Sequence, residues 1–235
     1  MRRRYGVAAI IVDEIILWAV MWNVAVGTTE PAGDQAYGDV PDGLPARLSV
    51  GLMEEPNETW MAESGVAWDM RYHYFVYGWR NNWGWDQTNS GQWGLAFMEE
   101  CDKSGFIPVV QYYCINGYSN YNESAFLTTT QSASTMAQYF DDFKVLMQRC
   151  KDFDKPVLVL MEGDGYAYME IQSGDNPNAY SAVAATGMSE LQGLPNTAAG
   201  WGLAFLKIRQ AVGADKVILG MHISAWAPQK DISYY

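Results

Sequence analysis

Two acidic residues close a continuous, strand-like apolar run of the chain. In Val157-Leu158-Val159-Leu160-Met161-Glu162-Gly163-Asp164, introduced by Pro156, the apolar residues lead straight into Glu162, and one glycine spaces it from Asp164. A continuous apolar run of this kind reads as a strand buried on both faces. Carboxylates at its exit are costly unless paired, hydrogen-bonded or placed at a wet cleft. In parallel α/β architectures that exit is where ligands bind. Side chains at i and i+2 of an extended strand share one side. Glu162 and Asp164 are therefore candidates for general acid–base work, one held protonated by an ionised neighbour in a partly dry site. The bland alternative is a strand-ending turn with solvated carboxylates, one of them capping the next helix.

The elements that would position such a pair alternate along the chain. Strand-like blocks fall at 48–53, 68–77, 107–115, 157–161 and 217–223. Helical blocks fall at 59–63, 92–103, a long stretch opened by Ser132 or Ser134, a small one near 180–186, and 197–212. Met136, Phe140, Phe143, Met147 and Cys150 form one apolar helix face, as do Trp201, Ala204, Phe205, Ile208 and Val212. Strand–helix alternation means a parallel sheet with right-handed crossovers. The expected fold is an α/β barrel of TIM type, apparently incomplete, because five βα units are countable where a closed barrel needs eight.

Catalytic groups of a barrel come from strand C-termini. Those exits offer Glu54 and Glu55, then Tyr77 and Trp79, Tyr113 and Asn116, Glu162 and Asp164, and finally His222, Ser224 and Trp226; Trp83, Trp85 and Asp86 lie in the loop after the second strand. Carboxylates, aromatics and amides without a basic cluster suit a neutral, hydroxyl-rich ligand. Glu54 is the candidate second carboxylate, with a solvated turn before Pro56 as its alternative. Asp69 and Arg71 are placed to pair within the second strand.

Composition narrows the partner. The chain has 235 residues, 49% apolar and 18% charged, enough for a sizeable core. Its net charge of -12 argues against nucleic acid and against anionic membrane surfaces. Cys101, Cys114 and Cys150 lack metal-ligand spacing and read as buried thiols, with a Cys101–Cys150 bridge as the alternative. No metal or cofactor is expected: GxGxxG, P-loop, GxSxG and HExxH patterns are absent. Arg2 to Arg4 followed by an apolar stretch over 7–26 read as an export signal or an uncleaved anchor over residues 1–27, although Asp13 and Glu14 interrupt it. A linker over 28–46 and a barrel domain over 47–235 complete the organisation. The expected location is outside the cell or on its surface.

Ser49-Val50-Gly51-Leu52, Trp60-Met61, Ser64-Gly65-Val66 and Trp68-Asp69-Met70-Arg71-Tyr72 resemble secreted bacterial TIM-barrel proteins of the glycoside-hydrolase type. Their fourth strand ends in a Glu-Pro-Asp turn followed by glycine and aromatics; here it is Glu162-Gly163-Asp164-Gly165-Tyr166. The strand end is more distantly similar to that of family 6 cellulases. The resemblance, over roughly 48–232, implies hydrolysis of a β-linked polysaccharide. Glu162 or Asp164 would be the general acid, with Glu54 as partner and Trp79, Trp83, Trp85, Tyr113, Asn116, His222 and Trp226 lining the glycan. Here Gly163 stands for the stiffening proline. The later strands that often carry the second carboxylate have no counterpart among the five. A non-catalytic carbohydrate-binding protein on a partial barrel is the second expectation, and an assembly subunit whose open sheet another chain completes is the third.

Overall fold

The computed structural model describes residues 8–9, 18–19, 40–81 and 90–222. Five strands form a parallel sheet: β3 (Gly51–Met53), β4 (Met70–Val76), β5 (Ile107–Tyr113), β6 (Val157–Met161) and β7 (Val217–His222). They lie side by side in chain order. Two short strands, β1 (Ala8–Ala9) and β2 (Trp18–Ala19), extend the sheet antiparallel beyond β7, with Trp18 opposite His222. They fall inside the segment whose composition resembles an export signal.

Helices alternate with the parallel strands. The main ones are α2 (Gln92–Lys103), α5 (Ala133–Phe153) and α7 (Ala198–Val212), joined by the shorter α1 (Trp60–Glu63), α3 (Ile115–Tyr118), α4 (Phe126–Thr130) and α6 (Gly165–Ser173). Strand order explains the layering. When each strand is added beside the last, right-handed crossovers deliver every helix to the same face. Here α2 packs on α5 and α5 on α7, and all three share one core with Phe75, Val110, Tyr112, Val159 and Leu219 of the sheet. The other face carries a separate cluster of Met70, Tyr72, Val109, Leu158 and Leu160. β6 is buried at every position because it separates these two cores. Leu44 joins the second cluster from the N-terminal side, and Gly43 (φ 89°) lies so close to Pro156 that a Cβ would stand 2.2 Å from its ring.

Local signals set the helix ends. Ser132 caps α5, its hydroxyl accepting from Thr135 N at 3.3 Å, and Thr197 caps α7 by accepting from Gly200 N at 3.1 Å. Gly213, left-handed at φ 71°, ends α7. Met136, Phe140, Phe143, Met147 and Cys150 are all buried, as their spacing predicts. The three cysteines are buried and free. The helix α6 has no counterpart in the periodicity, and the strand predicted over 107–115 stops at Tyr113 because α3 begins at Ile115.

The expected Asp69–Arg71 pair is not formed. Asp69 precedes β4 and accepts from Arg47 at 2.7 Å and from Val50 N at 3.0 Å. Arg71 faces the helix layer with 1% exposure, 3.4 Å from Glu54 and 2.9 Å from Glu100, and it donates to the carbonyls of Glu54 and Glu55. Asp69 lies before β4 begins and is held by Arg47 and Val50 N, whereas Arg71, His73 and Phe75 point from the strand at α2, where all three meet Phe97.

Candidate functional site

The turn after β6 holds both leading acids and sends them to different neighbours. Glu162 takes the left-handed conformation, φ 43°, which ends strand alternation. Its amide still extends the sheet by one bond, donating to Tyr112 O at 2.7 Å. Its side chain turns toward the helix layer. There Oε1 accepts from Cys114 N at 2.9 Å, Ile115 N at 3.1 Å and the Tyr139 hydroxyl at 2.9 Å. Glu162 therefore satisfies amides at the start of α3, which lack intrahelical partners. It is fully buried. Gly165 makes room for it, since a Cβ there would lie 2.7 Å from Glu162 Cβ and 2.8 Å from Phe126.

Burial raises the Glu162 carboxyl from 4.5 to about 7, against the lowering effect of those three hydrogen bonds and with a further push from the Asp164 charge. The folded value lies above the unfolded one. The carboxyl's contribution is thus fully present below about pH 4.5 and is lost as pH rises through about 7. A shift of this size corresponds to about 3 kcal/mol. Wild type should therefore lose about that much stability relative to Glu162→Gln between pH 5 and pH 8. Urea unfolding of both proteins at the two pH values checks this, and a constant difference would refute it.

Asp164 stays at the strand exits. It is half-buried, at the start of α6, and its Oδ2 accepts from the Tyr113 hydroxyl at 3.2 Å. Asn116 Nδ2 donates to the same hydroxyl at 3.0 Å. Tyr113 ends β5 on the face away from the helices, its ring centroid 6.2 Å from that of Tyr74, which lies 5.9 Å from Tyr72. Tyr74 and Tyr113 thus line this end of the sheet face, with Tyr72 buried deeper in the core. Burial, with the Asp164 and Glu162 charges, pushes the Tyr113 phenol up, so it remains a donor near neutral pH. The row Asn116–Tyr113–Asp164 can donate, accept and exchange a proton with a bound hydroxyl.

Other candidates stand elsewhere. Glu54 is 2% exposed at the end of β3, accepting from Met61 N at 2.7 Å and pairing with Arg71. Two strands separate β3 from β6, so Glu54 is not brought together with Asp164. Trp79 is a core residue at 1% exposure, packed on Phe75 and against Gly91 and Gly94. The C-terminal end of β7, the strand beside β6, carries His222. The His222 side chain and all of Trp83, Trp85 and Trp226 lie outside the described residues. A groove of about 670 Å³, lined by Lys144, Gln148, Lys151 and Val212, belongs to α5 and α7 rather than to the strand exits.

Sequence reasoning passed over two residues. Tyr139 is a polar-tipped residue in the apolar stripe of α5. Gln111 is a lone amide in the apolar strand β5, fully buried, with neither amide atom hydrogen-bonded. The first signal was readable as a buried hydroxyl in need of an acceptor, the second as an amide on a sheet face. Compared with family models, with curated proteins and with solved structures, the chain has no match.

Proposed function

We propose that the chain is a barrel-type glycoside hydrolase that binds a β-linked polysaccharide at the C-terminal ends of β4, β5 and β6, with Asp164 as its general acid or base. The row Asn116–Tyr113–Asp164 carries this reading: a half-buried carboxylate held by a phenol and an amide at adjacent strand exits. The half-buried tyrosines at 74 and 113 supply apolar faces for sugar rings. The net charge of -12 favours a neutral ligand over an anionic one. Sequential strand order with one helix layer supports a barrel-type winding, because a doubly wound sheet reverses its order and takes helices on both faces. Export to the cell exterior rests on the basic, then apolar, amino-terminal composition. No helix of the described residues is long and apolar enough to cross a membrane.

A second reading, non-catalytic carbohydrate binding on the same scaffold, is favoured by one observation. Glycosidases generally use two carboxylates, yet Glu162 is sealed and Glu54 is engaged with Arg71. Incubation with a panel of β-linked polysaccharides separates the two. Release of reducing ends supports hydrolysis, binding without release supports the second reading, and neither outcome on any glycan refutes both.

A further inference from the structure

Glu162 and Asp164 leave one turn toward different sides, yet both reach the junction between β5 and α3. Asp164 accepts from Tyr113, and Glu162 accepts from Cys114 N and Ile115 N, which open α3. That helix carries Asn116, whose amide donates to the Tyr113 hydroxyl that Asp164 accepts. The connections close on themselves: Glu162, the start of α3, Asn116, Tyr113, Asp164 and back through Gly163. Glu162 has no exposed surface, so it meets no ligand from where it stands. Its left-handed backbone is disfavoured for any residue with a Cβ. Such a conformation persists where its surroundings over-determine it, and here the clasp on α3, Tyr139 from α5 and the tight approach of Gly165 do so. Gly117, one residue beyond Asn116, packs so closely on Tyr77 that a Cβ would stand 2.0 Å from Tyr77 Cβ, which fixes the far side of α3.

We propose that Glu162 is a positioning residue, sealed from the ligand, that fastens the start of α3 and so sets, through Asn116 and Tyr113, where the Asp164 carboxylate stands. The inference rests on the reading that Asp164 serves a glycan. It assigns to Glu162 the control of that carboxylate's geometry in place of a share in the chemistry. Ionisation of Glu162 strengthens its bonds to the two amides and to Tyr139, so the clasp tightens as pH rises through about 7. The titratable groups around Glu162 are Tyr113 and Cys114 from β5 and its end, Tyr139 from α5, Tyr166 from α6, and Asp164 from its own turn. Burial raises the three phenols and the thiol, which stay neutral across this range.

The test uses the full chain, as wild type, Glu162→Gln and Asp164→Asn, from pH 5.5 to 8.5. Nuclear magnetic resonance follows the backbone amides of Cys114 and Ile115 and the side-chain amide of Asn116. Affinities are measured for cellohexaose, xylohexaose and mannohexaose. The Asn116 signal should titrate with a midpoint near 7 in wild type and in Asp164→Asn, and stay flat in Glu162→Gln. Glutamine keeps an oxygen for the same three donors. Wild-type affinity should rise about fivefold through that step, and the Glu162→Gln affinity should not change with pH. A step that persists in Glu162→Gln, or an Asn116 signal that ignores pH, would each overturn the proposal. If Glu162→Gln fails to fold, the Asn116 step in wild type and Asp164→Asn decides alone. If no hexaose binds but Asn116 follows Glu162, the clasp stands and the glycan reading fails.

Discussion

Asp164→Asn should lower polysaccharide hydrolysis at least about 100-fold, the usual contribution of a positioned acid or base, while the protein stays folded and still binds glycan. Asparagine has the same size, and its Oδ1 can accept from the Tyr113 hydroxyl as the carboxylate does. The hydrogen bonds from Asn116 to Tyr113 and from Tyr113 to position 164 would therefore hold, and only the ionisable proton is lost. The measurement is kcat and KM on whichever polysaccharide wild type degrades. The expected result is a fall in kcat with KM within about twofold, the pattern of an interaction made in the transition state. Unchanged kcat would remove Asp164 from the chemistry. Tyr113→Phe makes a useful companion, because it leaves the carboxylate in place and removes its donor.

The second large effect lies away from the site. Arg71→Met should destabilise the fold by about 3–5 kcal/mol, the cost of breaking a buried ion pair from one side. Arg71 is 1% exposed, lies within reach of the Glu54 and Glu100 carboxylates and donates to two backbone carbonyls. Removing it strands Glu54, which is itself 2% exposed. Arg71→Lys should recover only part of the loss, since an ammonium cannot reach the carboxylates and the carbonyls in the same fork geometry. Urea unfolding at pH 7 measures both. A loss below about 1 kcal/mol for Arg71→Met, the range of exposed pairs, would show that the network is solvated.

These effects differ in how far the sequence announces them. The strand Val157–Met161 was legible to the residue, because an unbroken apolar run has only one stable place in an alternating chain, between two cores. The apolar stripe of α5 and its Ser132 cap were legible because helix period and cap chemistry are local. The direction of Glu162 was not. Period-two reasoning puts Glu162 and Asp164 on one side, but a left-handed residue at 162 breaks the period. Nothing local calls for that conformation in a glutamate. Its cause lies 23 residues away in Tyr139 and 47 and 48 residues away in Ile115 and Cys114.

Partner choice was hidden for a similar reason. Asp69 and Arg71 are near in sequence, yet β4 begins between them, at Met70, and the pairs are made with Arg47 and Glu54. Aromatic residues at strand exits also carry no mark that separates cleft from core. Tyr113 stays half-buried at the end of β5, whereas Trp79 fills the space beside Gly91 and Gly94, a packing that only the crossover of α2 reveals. Helix α6 escaped because its apolar residues do not form a clear stripe and its first residue is glycine, a poor helix former.

The central claim is that a β-linked glycan binds where β5 and β6 end. The most direct measurement is a nuclear magnetic resonance titration of the isotopically labelled full chain with cellohexaose, xylohexaose and mannohexaose in turn. Saturable shifts are expected, for at least one of them, at Tyr74, Tyr113, Asn116 and Asp164. Shifts confined to the groove between α5 and α7, or none with any of the three, would contradict the claim.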